Sequence, residues 1–159
     1  MATQNNIGKT LYISAALPAT NDDTGFEALT WTKVNGVQSL PQLGVSGANI
    51  DVPDLQTGFT AGVKGAMSGN ESSCAFRTVA SDTGQALVET TANSPNGDVS
   101  VKIVDGSGTN QAPVSGDPVQ YAQGYFNSYL ENQGDTTTHE GFSVSFKQND
   151  FTVDDTEPA

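Results

Sequence analysis

The sequence predicts a mainly β protein, a β-sandwich or barrel-like fold of roughly six to eight short strands with one flanking α-helix. Three observations lead there. Hydrophobic residues make up 35% of the chain and charged residues 15%, so its polarity comes from Gly, Ser, Thr, Asn and Gln, which suit strands and turns. Apolar and polar residues alternate in short runs separated by Gly, Pro and Asn punctuation. A single segment combines helix caps with a helical apolar stripe. At 159 residues the chain is expected to form one domain, residues 1–159, able to bury a core without covalent staples.

The strands follow in order. Residues 10–17 (TLYISAAL) alternate Leu11, Ile13 and Ala15 against Tyr12 and Ser14, and Pro18 ends the run. Residues 21–29 read as a turn or one short helical turn, with Asp22, Asp23 or Thr24 as N-cap. Residues 31–40, opening on the single tryptophan, form a second strand with Asn35-Gly36 as a bulge or bend inside it. Residues 41–58 hold two prolines, three glycines and the acidic pair Asp51 and Asp54, and are expected to be a long loop. Residues 59–67 and 72–80 are expected to pair as a hairpin across the turn 68–71.

Residues 81–93 are the helix, opening on Ser81-Asp82-Thr83 and stopping before Ser94-Pro95-Asn96-Gly97, with Ala86, Leu87, Val88 and Ala92 as a narrow apolar stripe. Residues 98–104 place Val99, Val101 and Ile103 inward, Ser100 and Lys102 outward. A Gly-rich turn follows at 105–111. Residues 118–132 make the longest strand, with Val119, Tyr121, Tyr125 and Tyr129 on one face and Ala122, Phe126 and Leu130 on the other. Residues 140–147 alternate Phe142, Val144 and Phe146 against Ser143, Ser145 and Lys147, and the acidic tail 150–159 is expected to be loose or docked.

Charge and cysteine content exclude several functions. With 18 acids against 6 bases and a net charge of −12, adhesion to nucleic-acid phosphates or anionic lipid is disfavoured. A channel past which DNA must slide without sticking is compatible with that charge. Cys74 is alone, so no internal disulfide forms and Cys-based zinc sites are excluded, as in a protein made in a reducing cytoplasm. The first residues lack a signal-peptide pattern, and no window approaches the ~18 apolar residues of a membrane span. A soluble, non-exported chain is expected.

Catalytic equipment is sparse. A Ser-His-Asp hydrolase needs a histidine base, and the chain offers only His139, with no Gly-x-Ser-x-Gly elbow. Asp105-Gly-Ser-Gly-Thr109, Asp22-Asp23 and Asp51 to Asp54 could supply oxygens to a cation, yet turn chemistry explains them and calcium needs six or more converging ligands. Gly106-Ser-Gly108 lacks the Gly-Lys-Ser/Thr of a phosphate loop. Chance pairing among the acids accounts for any glycosidase-like carboxylates, which are read as a solvated or lumen-lining surface. Tyr121, Tyr125, Phe126 and Tyr129 fit a core or subunit interface better than a carbohydrate platform. No catalytic, cofactor-binding or metal-ligating residue is therefore assigned, and the chain reads as a non-enzyme.

The order of elements carries a resemblance: an early strand, the Trp31 segment running into Ser39-Leu-Pro-Gln-Leu-Gly44, a long loop with Ile50-Asp51, and a hairpin ending near 73–79. A helix begun by Asp82-Thr-Gly-Gln85, the strand 99–104 with Asp105-Gly106, then Gly124-Tyr-Phe-Asn-Ser-Tyr129 and 141–146 complete it. In this order the chain resembles the major tail tube proteins of long-tailed, siphovirus-type bacteriophages, the lambda-like tail tube family. The resemblance covers nearly the whole chain, and the same fold recurs in tailocin and type VI secretion tubes. It implies a virion protein, synthesised in the host bacterial cytoplasm, whose hexameric rings stack into a tail tube. Inner strands of the subunits would join into one barrel around a channel through which double-stranded DNA passes during ejection, without specific binding. Tape-measure, tail-tip and tail-terminator proteins are the implied partners, and no membrane is involved. The loop 41–58 and both termini are the implied inter-ring contacts, with Trp31 packing rather than binding. On this resemblance the chain is expected to lack the long extra C-terminal domain that some family members carry. From the residues alone, a glycan- or receptor-binding adhesin-like module, using the tyrosine face as platform, is the alternative.

Overall fold

The computed structural model describes residues 6–159. In chain order the elements are β1 (Lys9–Ser14), α1 (Asp23–Glu27), β2 (Thr32–Val34), β3 (Val37–Ser39), β4 (Val45–Pro53), β5 (Thr60–Gly69) and β6 (Glu71–Arg77). They continue with α2 (Thr83–Ala92), β7 (Asp98–Asp105), a 3-10 turn (Thr109–Gln111), β8 (Pro118–Glu131), β9 (Gly141–Gln148) and β10 (Val153–Thr156). The main sheet is antiparallel and runs β2-β1-β7-β8-β9-β6-β3, with β10 added against the first residues of β8. β4 and β5 pair with each other as a separate two-stranded ribbon.

The two ends of the main sheet, β2 and β3, are consecutive in the chain and separated only by Asn35 and Gly36. The sheet therefore curls until its edges nearly meet, and the inward side chains of all its large strands fall into one core. Leu11 and Ile13 of β1, Val99, Val101 and Ile103 of β7, and Phe142, Val144 and Phe146 of β9 meet there with Cys74, Phe76, Ala122, Phe126 and Val34. The predicted inward faces of β1, β7 and β9 are thus the observed ones. Because the side-chain period of a strand is 2, this register is held wherever one face is buried.

The single strand expected over 31–40 is instead two, β2 and β3, at opposite ends of the sheet, and the seam is the Asn35-Gly36 bend between them. Gly36 has φ of +75°, and a Cβ there would lie 2.3 Å from the carbonyl oxygen of Arg77, so only glycine lets the chain cross. Its carbonyl accepts from Arg77 N–H at 2.7 Å. Helix α2 closes the same corner. Its N-cap Asp82 accepts from Gln85 N–H at 2.9 Å and from the Asn35 side-chain amide at 2.6 Å. The buried Gln85 side chain donates to the carbonyls of Asn35 and Arg77, both at 2.7 Å, and accepts from Val79 N–H at 3.0 Å. The helix lies where the caps predicted, but its buried stripe is Gly84, Gln85, Val88 and Thr91, with Ala86 exposed. Close approach to β2 selects Gly84, since a Cβ would sit 2.1 Å from the Lys33 carbonyl oxygen.

Three further sequence expectations are corrected. Residues 41–58 are not a loop throughout, because β4 occupies Val45–Pro53 and takes β5 as its partner, while β6 pairs with β3 and β9. Glycines and low apolar content hid the strand from a periodicity reading. Ser100 and Lys102 do not face solvent: α1, Leu29, Trp31 and Val153 cover that side of the sheet and form a second small core with Tyr121, Phe26, Val104 and Val119. The four tyrosine-face residues do not share a face, because Ser128 adopts φ of +57° at a register shift between Asn127 and Leu130. This bulge turns Tyr129 onto Phe142 in the main core, at 5.1 Å between ring centroids, while Tyr121 stays in the second core. Of the two expectations for the tail, loose or docked, the docked one holds: β10 pairs Val153 with Tyr121 through Thr156 with Pro118.

Lys102 anchors that tail. Its ammonium lies 2.7 Å from the Glu157 carboxylate, both side chains being largely buried, and sits over the rings of Tyr12 and Tyr121. A buried ion pair is weak evidence for net stability, but loss of one partner strands the other charge. Glu157→Ala is expected to destabilise the protein by about 3 kcal/mol in urea unfolding. Lys102→Met combined with Glu157→Leu should recover most of that loss.

Candidate assembly surface

The β4–β5 ribbon projects from the body as an arm. Every residue from 46 to 64 is exposed, and among the described residues neither ribbon strand has a second partner strand. An isolated two-stranded hairpin is marginal in water, and open edges are ready to pair with another chain.

The arm has two unlike faces. Ile50 lies opposite Val63 and Val52 opposite Ala61, so these four share one face. Ile50, Val52 and Val63 are each about half exposed, at 52%, 48% and 53%. The other face pairs Asn49 with Lys64, Asp51 with Gly62 and Pro53 with Thr60. At the tip, Leu55 and Phe59 are 102% and 72% exposed. Such contiguous apolar exposure marks an interaction surface. The turn that carries it is ordered: Asp54 accepts from Gln56 N–H at 2.8 Å, and its backbone bonds Gly58 and Phe59. The acidic pair of the sequence reading thus serves different ends, Asp54 shaping the turn and Asp51 lying on the polar face. Of the acids, only Asp51 and Asp54 fall on the arm, against one cation, Lys64.

The remaining sequence candidates are absorbed by local structure. His139 is exposed and its ring nitrogen lies 3.0 Å from the Gln38 side-chain oxygen. The Asp105 to Thr109 turn is organised by Asp117, whose carboxylate accepts from the Ser107 hydroxyl at 2.6 Å, Ser107 N–H at 3.0 Å and Val114 N–H at 2.7 Å. These bonds hold the Asp117 carboxyl below its ordinary value of 3.8. Asp22 caps α1, accepting from Thr20 and Gly25, and is lowered likewise. Among the described residues no group of three or more His, Cys, Asp or Glu is placed to hold a metal. Cys74 is buried, and desolvation pushes its thiol up to about 12. Trp31 packs: its indole N–H donates to the Phe26 carbonyl at 3.1 Å, and its ring lies 5.7 Å from Tyr121. Tyr121 is itself stacked on Phe26 at 5.0 Å, so the four aromatic residues of β8 offer no shared exposed platform. No described helix is long and apolar enough to cross a membrane.

No family model matches the chain, and no curated protein sequence does. Solved structures do. The hybrid solid-state NMR and cryo-EM structure of the SPP1 tail tube matches with a TM-score of 0.62 at 14% identity, covering 95% of this chain and 78% of that one. The sheath/tube terminator of PVC, an extracellular contractile injection system, in its extended state matches with a TM-score of 0.59 at 10% identity, covering 98% of both chains. The fold is therefore one shared with tail tube and contractile injection system tube structures.

Two expectations follow. Replacing Ile50 and Val63 together by Ser should change monomer unfolding by no more than about 0.5 kcal/mol per site, because neither side chain is covered by the body, while any self-association is lost in light scattering. The lowered carboxyls of Asp22, Asp54, Asp117 and Asp135 contribute stability present above their ordinary value and lost as pH falls through the depressed ones. Acid titration of unfolding should therefore show a decline below about pH 4, shallower in Asp117→Asn.

Proposed function

We propose that this chain is a non-enzymatic structural subunit of a phage tail tube, of the lambda-like kind, assembling with copies of itself into stacked hexameric rings. The observation that carries the reading is the arm: a well-formed ribbon with one apolar face, two open edges and no covering layer of its own, set on a fold shared with tail tube structures. Pairing its edges with strands of neighbouring copies would satisfy the open backbone groups and bury Ile50, Val52 and Val63. The polar face, with Asn49, Asp51, Thr60 and Lys64, then lines the channel.

That lining carries one carboxylate and one ammonium, Asp51 and Lys64, so its charges balance, and the acids sit mostly on the body. DNA passing during ejection meets hydroxyls, amides and this balanced pair of charges in the lumen and a negative outer field, with a single lysine rather than a basic cluster in its path. In this reading the tip, with Leu55 and Phe59, contacts the next ring. The partners are tape-measure, tail-tip and tail-terminator proteins, and the subunit is made in the bacterial cytoplasm and resides in the virion.

A second reading is a tube terminator, supported by the full mutual coverage with the PVC sheath/tube terminator. Negative-stain electron microscopy separates the two. A tube subunit is expected to give rings and long tubes, alone or nucleated by a tail-tip complex, and Ile50→Ser/Val63→Ser should abolish them. Single rings that never stack would support the terminator, and persistent monomers under all conditions would remove both.

A further inference from the structure

The root of the arm and the C-terminal segment meet at one side chain. Gln148, the last residue of β9, is 1% exposed. Its amide oxygen accepts from Gly44 N–H at 2.9 Å, just before the chain enters β4. Its amide nitrogen donates to the Asp150 carbonyl at 2.7 Å and to the Thr152 hydroxyl at 2.9 Å, just before the chain enters β10. Its backbone N–H donates to the carbonyl of Asn70 at 3.0 Å, between β5 and β6, and Asn70 N–H in turn donates to Gly44 at 2.8 Å. Chemistry fixes the amide's orientation, since Gly44 N–H can only donate and the Asp150 carbonyl can only accept.

Among the described residues, Gln148 is the side chain that hydrogen-bonds both the arm root and the segment leading into β10. A shallow groove of about 240 Å³, bordered by Val45, Met67 and Phe151, lies between the arm base and the C-terminal segment. Gly69 presses against the Gln148 backbone, where a Cβ would sit 1.9 Å from its carbonyl oxygen. An Ala, Leu or Met at 148 would leave Gly44 N–H and the Asp150 carbonyl without the side chain that joins them.

We propose that Gln148 is a positioning residue for assembly, coupling the pose of the β4–β5 arm to the docking of the C-terminal strand β10. Its role in assembly rests on the reading of the arm as the tube-forming element. The coupling itself belongs to the unassembled chain. While β10 is docked, Asp150 and Thr152 hold the Gln148 amide in the orientation that fixes Gly44, and the arm leaves the body in one direction. When β10 is released, the amide loses two of its three partners and the arm root loosens.

Amide hydrogen exchange on the full, unassembled chain tests this. In Gln148→Met, exchange at Gly44, Asn70 and the β10 amides is expected to rise together by about tenfold, with β7 amides unchanged. A response on one side only, or none, overturns the coupling. Should Gln148→Met fail to fold, deletion of 153–159 combined with Lys102→Met removes β10 without touching Gln148. Exchange at Gly44 is again expected to rise about tenfold, and wild-type protection there overturns the proposal. In electron microscopy, Gln148→Met should form fewer or irregular tubes, and wild-type tubes would refute the positioning role. A wild-type chain that forms no rings would instead refute the tube reading, leaving the exchange results to decide the coupling.

Discussion

The fold depends on the crossing at Asn35-Gly36, where one short stretch of chain leaves one edge of the sheet and joins the other. Two strands of three residues each could not hold a curled sheet shut by their own ladders. The corner is held instead by Gln85 and Asp82, which bond Asn35, Arg77 and Val79 from the first turn of α2. Every donor and acceptor of that buried amide is engaged, so the seam is fully satisfied where a partial network would be costly. With the edges closed, the inward faces of β1, β6, β7, β8 and β9 share one core, and α2 lies over it through Val88, Leu87 and Ala92.

Closure of the body makes the arm conspicuous. The body hides its edges by curling and by adding β10 to β8, whereas β4 and β5 keep theirs open and put Ile50, Val52 and Val63 in water. In a monomer this is a liability for aggregation. In the proposed tube it is the binding surface, and a net charge of −12 opposes association through other faces. The same division appears in the placement of glycine: Gly36 and Gly84 serve close approach in the body, while Gly58 turns the arm with nothing near it.

Much of this was legible in the residues. Alternation located β1, β7 and β9 and gave the face each turns to the main core, because side chains along a strand alternate with a period of 2. Asp82 and the Ser94-Pro95-Asn96-Gly97 stop bounded α2, because caps are local chemistry. The arm was not legible as strand. Its residues face water on both sides, so no core imposes alternation, and its glycines resemble loop punctuation. The bulge at Ser128 was equally silent, as was the layer that buries Lys102, since each depends on a neighbour distant in sequence.

By itself, then, the sequence determined the class: a β-rich, acidic chain with a single flanking helix, strand faces set by alternation, and residue types that point away from a metal or nucleophile site. Tertiary structure alone decided that β2 and β3 sit at opposite ends of one curled sheet. It also decided that β4 pairs with β5 outside the body and that Gln148 joins the arm to the tail. The physical reason is the same in each case. Propensity and periodicity record what a segment buries against its own face, whereas pairing partners, seams and coupled hydrogen bonds are fixed by groups far apart in the chain.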